Sequence, residues 1–195
     1  MKKWRSLGLD ELSADLDALY HTLNDESDLA CVLIGTSYLA ELLATTLRIQ
    51  LIEGSTSDRL LDPQRGALGN FATRADLAYC LSLISKSVYQ DLSRVAEIRN
   101  QFAHRHLSLT FNDPSVRTAC GGLQAWRIML TGEDEVVHDD PTEEQLGTLA
   151  RNQFKMTIVL VGMRIHVDAL GRSHQKVQAS SGQKTTYKVD ATSPA

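Results

Sequence analysis

The stretch GALGNFATRADLAYCLSLISKSVYQDLSRVAEIRNQFAH, residues 66–104, decides the fold of this 195-residue chain. It opens on a glycine-containing turn and continues into two segments whose apolar residues recur every three or four positions. That spacing is typical of helices with one buried face. We predict a first helix over Phe71–Ser85 and a second over Val88–His104, the second opened by a capping box of Ser87 and Gln90.

The same helical spacing continues upstream of this stretch. It predicts one helix over residues 9–24 and another over 28–51, the latter capped by Ser27. The second of these has a wide apolar face, so we expect it to be central and mostly buried. Residues 59–62 have room for one further helical turn before Pro63.

Downstream, the sequence predicts two more helices. A short one starts at Asp113-Pro114 and stops at Gly121-Gly122. The last begins at Pro141-Thr142, where Thr142 and Gln145 have capping-box spacing, and runs to Leu170. Between them, 128–130 and 136–137 leave room for one small hairpin around a glycine.

After Gly171 the chain is rich in Ser, Gln, Lys and Thr and has almost no large apolar residue. Such composition cannot bury enough apolar surface to offset the entropy of ordering. We therefore predict an all-α protein with one helical-bundle domain of five to six helices over residues 1–171. A disordered tail over residues 172–195 follows it.

The charge is divided unevenly between these two parts. The chain has 20 basic and 24 acidic residues, a net charge of −4. The tail holds four of the basic and one of the acidic residues, so 1–171 carry 16 against 23, a net charge of −7. Nucleic-acid-binding domains normally show a basic excess. Direct specific binding of DNA by the body is therefore doubtful.

The sequence shows no pattern typical of secretion, membrane insertion or cofactor binding. The basic N-terminus is not followed by an apolar segment, and no run reaches ~18 consecutive apolar residues. Cys31, Cys80 and Cys120 lie far apart, so we expect reduced core thiols in the cytoplasm. Phosphate-binding glycine loops and metal-ligand spacings are missing, so no cofactor and no metal site is predicted.

The motif RNQFAH, residues 99–104, contains the residue types that metal-free RNA cleavage needs. His104 can accept or donate a proton near neutral pH, and the guanidinium of Arg99 can hold a phosphate. On a straight helix these two point about 140° apart, whereas Asn100 and His104 share a face. Joint action would need an unwound helix end or a second subunit. The structural alternative is that Arg99 pairs with an acid and His104 caps the helix end.

Five further residues are candidate binding residues, each with a structural alternative. Arg105 and His106 either extend the polar cluster or form the solvated end of the helix. Arg74 either binds a ligand or makes a salt bridge across the bundle. Tyr89 is either a binding residue or a residue at the edge of the core whose hydroxyl is hydrogen-bonded. Asp91 would orient Arg99 only if the helix curves.

The ordered residues of the deciding stretch resemble the MltR family, named for the mannitol operon repressor. The shared pattern is a G-x-L-G turn, an arginine, a Leu/Tyr helix face, Tyr-x-Asp, and an arginine followed five residues later by histidine. The matching positions here are Gly66, Leu68, Gly69, Arg74, Leu77, Tyr79, Leu81, Ile84, Tyr89, Asp91, Arg99 and His104. The resemblance implies repression of a sugar operon or a similar regulatory role. Because no helix-turn-helix with a basic recognition helix is apparent, we expect action through a protein partner or a ligand.

The RNQFAH element is also similar to the R-x4–6-H motif of HEPN domains, and Asn100 matches the polar residue that often follows the arginine. That second resemblance implies a homodimer and a metal-independent endoribonuclease, or its inactive relative, with RNA as partner. His106 stands where many HEPN toxins have a tyrosine. A third hypothesis is a helical protein-interaction module without catalysis.

Overall fold

The structure, a computed structural model, describes residues 9–105, 109–130 and 141–182. These residues form α-helices and one 3-10 helix and contain no strand, which confirms the all-α prediction. The described residues contain seven α-helices, including one short helix, whereas five to six were expected. The helices are α1 (Leu9–Asp25), α2 (Asp28–Gln50), α3 (Ser55–Leu61), α4 (Phe71–Cys80), α5 (Lys86–Arg105), α6 (Pro114–Gly121), the 3-10 helix (Ala125–Leu130) and α7 (Glu143–Gly182).

Helix α2 lies at the centre of the bundle, as predicted, and contacts α1, α3, α4, α5 and α7. By length and composition it is the one helix of the described chain apolar enough to cross a membrane, with a mean hydropathy of 1.5 in its most apolar window. Half of that window is buried inside the bundle, and the core helices of soluble proteins meet the same criterion. Its apolar character is therefore accounted for by packing against five other helices.

Helices α2 and α7 run parallel and pack closely. A Cβ atom on Gly35 would lie 3.1 Å from Ile158 Cγ1, and one on Gly162 would lie 2.7 Å from Tyr38 Cε1. The missing side chains therefore allow the two backbones to approach. The buried face of α7 includes the large apolar residues Phe154, Ile158, Val161 and Ile165.

Two basic side chains on α7 bind the segment where α1 ends and α2 begins. Arg151 donates to Asp28 Oδ1 at 2.5 Å and to the carbonyls that end α1, including that of Leu23 at 3.1 Å. Lys155 Nζ donates to Asn24 Oδ1 at 2.7 Å and lies above the ring of Tyr20. Because the C-terminal end of α1 meets the N-terminal half of α7, these two helices are antiparallel.

The predicted start of α7 is confirmed by a reciprocal capping box. Thr142 N donates to Gln145 Oε1 at 2.8 Å, and Gln145 N donates to Thr142 Oγ1 at 3.3 Å. The capping box predicted for α5 is wrong. Ser85, not Ser87, accepts from Val88 N, so α5 begins at Lys86.

Helix α4 ends at Cys80, earlier than the predicted Ser85. Ser82 adopts a left-handed conformation with φ 54°, and a left-handed residue cannot continue a right-handed helix. Its N–H bonds to Tyr79 O and that of Leu83 to Ala78 O, both at 2.8 Å. This pattern is a Schellman closure, made here by serine in place of the usual glycine.

Two predictions about the second half of the chain need revision. Residues 128–130 belong to the 3-10 helix, so they are not one arm of a hairpin; 136–137 lie outside the described residues. Helix α7 continues past Gly171 to Gly182, because Gln, Lys, Arg and Ala are good helix formers and one glycine costs only about 1 kcal/mol. Residues 183–195 of the predicted disordered tail lie outside the described residues.

The G-x-L-G turn folds back over the C-terminal end of α3. Leu68 N donates to Leu60 O at 2.8 Å, and Gly66 N donates to Asp62 O at 2.9 Å. A Cβ atom on Gly66 would lie 2.3 Å from Leu60 O, a distance at which the backbone must move. Glycine is therefore needed at this position, because a residue without a Cβ atom lets the backbone lie directly against the end of α3.

We expect Gly66→Ala to lower the free energy of unfolding by about 3 kcal/mol or more, because the methyl group must displace backbone carbonyls. Gly121→Ala is the matched control, since a Cβ atom there meets nothing within 4 Å. It should be neutral or stabilise by up to about 1 kcal/mol. Urea unfolding followed by circular dichroism measures both, and equal midpoints for the two variants would contradict the steric argument.

Candidate functional site

Arg74, a predicted binding residue, is buried and hydrogen-bonds to the backbone of three separate segments. Its Nε donates to Leu68 O at 2.6 Å, its Nη1 to Ala40 O at 2.9 Å and its Nη2 to Leu61 O at 2.8 Å. Only 4% of the residue is exposed, and burial lowers the pKa of its guanidinium. These three carbonyls take the place of the expected salt bridge across the bundle, and the guanidinium is buried.

Asp91 lies on the buried side of α5 and caps the 3-10 helix. Its carboxylate accepts from Gln124 N at 2.8 Å and from Ala125 N at 2.9 Å. Burial raises the pKa of Asp91, while these two hydrogen bonds act in the opposite direction. Asp91 therefore positions the chain after α6, and its hydrogen bonds are directed to that chain and not to Arg99.

Tyr89 lies at the surface in a fixed arrangement with two neighbours from α4. Its ring stacks on that of Tyr79, with centroids 4.6 Å apart and planes 13° apart. Its hydroxyl donates to Asp76 Oδ1 at 2.9 Å, and this hydrogen bond raises the pKa of Tyr89. The Tyr89 ring is therefore held in place by a stacking partner and a hydrogen bond, and Leu81, two residues after Tyr79 in the chain, is 46% exposed.

Two turns further along α5, polar side chains surround a shallow concavity. Glu97, Asn100, Gln101 and His104 line it, and its volume is about 500 Å³. Asn100 and His104 share a face, as their spacing predicts. Glu97 and Gln101 were not among the predicted site residues, although their positions one turn away on the same helix could have indicated them.

Arg99 does not line this concavity. Its Nη1 donates to Asn100 Oδ1 at 3.2 Å, so the arginine is linked to the concavity through that amide. Within one chain, Arg99 and His104 are therefore not brought to a common point, in agreement with their angular separation on a straight helix. Arg105 is the last residue of α5, and its side chain lies outside the described part, as does all of His106.

Together these residues form one surface, which we call the open face of α5. It consists of Tyr89, Ser93, Glu97, Asn100 and His104, with Tyr79 stacked at one end. The opposite side of the helix carries the buried residues Val88, Leu92, Val95, Ile98 and Phe102. The open face therefore points away from the core and combines a rigid aromatic end with a polar end.

The described residues contain no group of three or more His, Cys, Asp or Glu side chains placed to hold a metal ion. The open face offers aromatic stacking, hydrogen bonding and one exposed imidazole. These are the means by which proteins bind other macromolecules, and aromatic residues in particular are enriched in such interfaces.

The described residues define an all-α protein with a polar and aromatic face on α5, and comparison with known proteins identifies its family. Residues 52–169 match the family model MtlR, described as "Mannitol repressor". This match spans more than half of the chain, so the chain belongs to the mannitol repressor family. The comparison with curated proteins gives no match.

Among solved structures, the chain is similar to "X-ray structure of the MtlR-HPr complex from Escherichia coli". The TM-score is 0.57 at 17% identity, over 80% of this chain and 99% of that chain. At this identity the likeness shows that the fold is shared.

We expect Arg74→Lys to lower the free energy of unfolding by about 2–4 kcal/mol. A lysine has no planar fork and leaves buried carbonyls without donors. Arg65→Lys is the control, because Arg65 is exposed in the same region of the chain and should change little. Thermal and urea unfolding would test this, and an unchanged midpoint for Arg74→Lys would show that the three carbonyls do not need the guanidinium.

Proposed function

We propose that this protein is a regulator that acts by binding a protein partner through the open face of α5. Membership of the mannitol repressor family supports the regulatory role. The observation that carries the binding mode is the stacked pair Tyr79–Tyr89, held at the surface with centroids 4.6 Å apart. A rigid aromatic pair can be buried by a partner with little loss of side-chain entropy, which is typical of interface hot spots.

The partner to test first is HPr, because the solved structure with the same fold is a complex of MtlR with HPr. The choice of surface comes from this chain alone. The tyrosine pair would supply the apolar centre, and exposed Glu97, Asn100 and His104 would supply the polar rim that interfaces usually have.

We do not expect the protein to bind DNA without a partner. Residues 1–171 carry a net charge of −7, and the open face of α5 includes the acidic Glu97. A DNA-reading helix needs basic side chains to neutralise phosphates. A repressor with this surface would act on transcription through the complex that it forms.

We place this activity in the cytoplasm. Cys31, Cys80 and Cys120 are all free thiols, the state that a reducing compartment maintains. RNA binding and a homodimer, both implied by the likeness of RNQFAH to HEPN domains, are not needed for partner binding through α5.

We expect purified protein to bind HPr from the same organism, and Tyr89→Ala to weaken that binding at least about tenfold, since the variant removes half of the aromatic pair. Isothermal titration calorimetry would measure the affinities. Ile52→Ala is the control, because Ile52 is an exposed apolar residue, 92% accessible, outside α5. Circular dichroism should show that both variants keep the wild-type helix content.

Two results would contradict the proposal in different ways. Absence of HPr binding at about 100 μM protein would remove HPr as the partner. Binding of HPr with the same affinity by wild type and Tyr89→Ala would place the interface elsewhere than the open face of α5, because truncation at an interface centre typically costs more than tenfold.

In an electrophoretic shift assay at ~150 mM salt, we expect the protein alone to show no sequence-specific nanomolar binding to the promoter of an operon that it regulates. The physical reason is the acidic body. The same assay with the partner protein added serves as the comparison. Specific binding by the protein alone would overturn the indirect mode of regulation.

A further inference from the structure

A second concave surface lies between α6 and the first turns of α7, outside the open face of α5. Its volume is about 360 Å³, and its walls come from one face of each helix. On both helices the lining residues are three or four positions apart, which is the spacing of a single helix face. We call this surface the α6–α7 groove. Its walls include Arg117 and Thr118 from α6 and Leu146, Leu149, Ala150 and Gln153 from α7.

Gln153 is the residue of the α6–α7 groove that points to a ligand. It lines the groove and is only 8% exposed. Within the described part of the chain, its side-chain amide makes no hydrogen bond. A buried amide without a partner costs free energy that an apolar side chain at the same position would not cost. Because an amide has both donors and an acceptor, Gln153 can pair with the N–H and the C=O of a peptide.

Arg117 supplies a positive charge that can bind a carboxylate. Its guanidinium already forms an ion pair with the carboxylate of Glu143, which lies in the first turn of α7. The side chain of Arg117 is 19% exposed, whereas that of Glu143 is 75% exposed. An exposed carboxylate loses little when it returns to water, so a carboxylate from a ligand can replace Glu143 at this guanidinium.

Apolar side chains lie between these polar ends of the α6–α7 groove. Leu149 is 51% exposed, and Leu146, nearly one turn earlier, is half-buried. From Leu146 to Gln153 the helix rises about 10 Å, which is the length of about three extended residues. Because Leu149 is exposed, the groove is open along its side, and a chain longer than the groove can continue past its ends. Small-molecule sites, by contrast, enclose most of their ligand.

We propose that the α6–α7 groove binds an extended segment of a partner polypeptide that has a carboxylate and, next to it, an apolar side chain. The carboxylate replaces Glu143 at Arg117, the apolar side chain covers Leu149, and one peptide group of the segment pairs with Gln153. A single basic residue beside an apolar wall is complementary to a single carboxylate beside an apolar side chain. None of the lining residues belongs to α5, so this binding is independent of the surface proposed for HPr.

Two tetrapeptides that differ in one group test the carboxylate. GGLE, acetylated and amidated at its ends, should shift the backbone NMR signals of α6 and the start of α7, with a dissociation constant of about 1 mM for so short a ligand. GGLQ, which has an amide in place of the carboxylate, should bind at least about fivefold more weakly. GGGL with a free carboxyl terminus places the carboxylate at the chain end. Its affinity relative to GGLE shows whether the groove takes a terminal or a side-chain carboxylate.

Substitution of Glu143 gives the sharpest test, because it should improve binding. Glu143→Gln removes the competing carboxylate and should strengthen the binding of GGLE by about threefold or more. Glu144→Gln is the matched control, since it removes the same charge from a side chain that forms no ion pair with any described residue. Arg117→Gln should weaken binding at least about fivefold. Arg164→Gln, which removes another ion-paired arginine outside the groove, should not.

The stability of Gln153 variants tests the unpartnered amide without any ligand. Gln153→Met keeps a side chain of similar length and removes the amide, so it should raise Tm by about 2–4 °C. The same variant should weaken the binding of GGLE. A fall in Tm for both Gln153→Met and Gln153→Leu would show that the amide stabilises the fold, and it would overturn the role of Gln153 in binding.

Three further results would overturn the proposal. One is the absence of shifts in α6 and α7 with either GGLE or GGGL at about 5 mM peptide. The others are equal affinities for GGLE and GGLQ, and equal effects of Glu143→Gln and Glu144→Gln. Tyr89→Ala should leave peptide binding unchanged, so a failure of the α5 interface and a failure of the groove are distinguishable. Circular dichroism should show wild-type helix content for each variant.

Discussion

The buried guanidinium of Arg74 is the interaction on which the arrangement of the first half of the chain depends. It joins the carbonyl of Ala40 on the central helix α2, that of Leu61 at the end of α3, and that of Leu68 in the G-x-L-G turn. The last carbonyls of a helix have no intrahelical partner, so a buried helix end needs such a donor. Because Arg74 lies on α4, the same contact also fixes where α4 starts relative to α2. The position of α5, and of its open face, follows from α4.

The sequence was sufficient to predict elements whose cause is local. The repeating apolar positions of α2 and the capping box Thr142–Gln145 are properties of nearby residues, and the structure has both where they were expected. Where a local pattern was wrong, a competing interaction decided the outcome. Ser85 replaced Ser87 as the cap of α5 because the Schellman closure at Ser82 ended α4 early and left Ser85 in position to accept from Val88 N.

The roles of the site residues were harder to predict, because they depend on partners distant in sequence. Asp91 is two turns from Arg99 along α5, but its carboxylate bonds to backbone groups 33 and 34 residues away. Arg74 has residue type and spacing compatible with ligand binding, yet its partners are carbonyls, which no side-chain pattern reveals. Helical spacing alone did place Asn100 and His104 on one face, since that relation needs only the geometry of a single helix.

The open face of α5 lies within the family match and is formed by a rigid aromatic pair with polar neighbours. A face that is only partly apolar suits an interaction that forms and dissociates, whereas permanent contacts are usually more apolar.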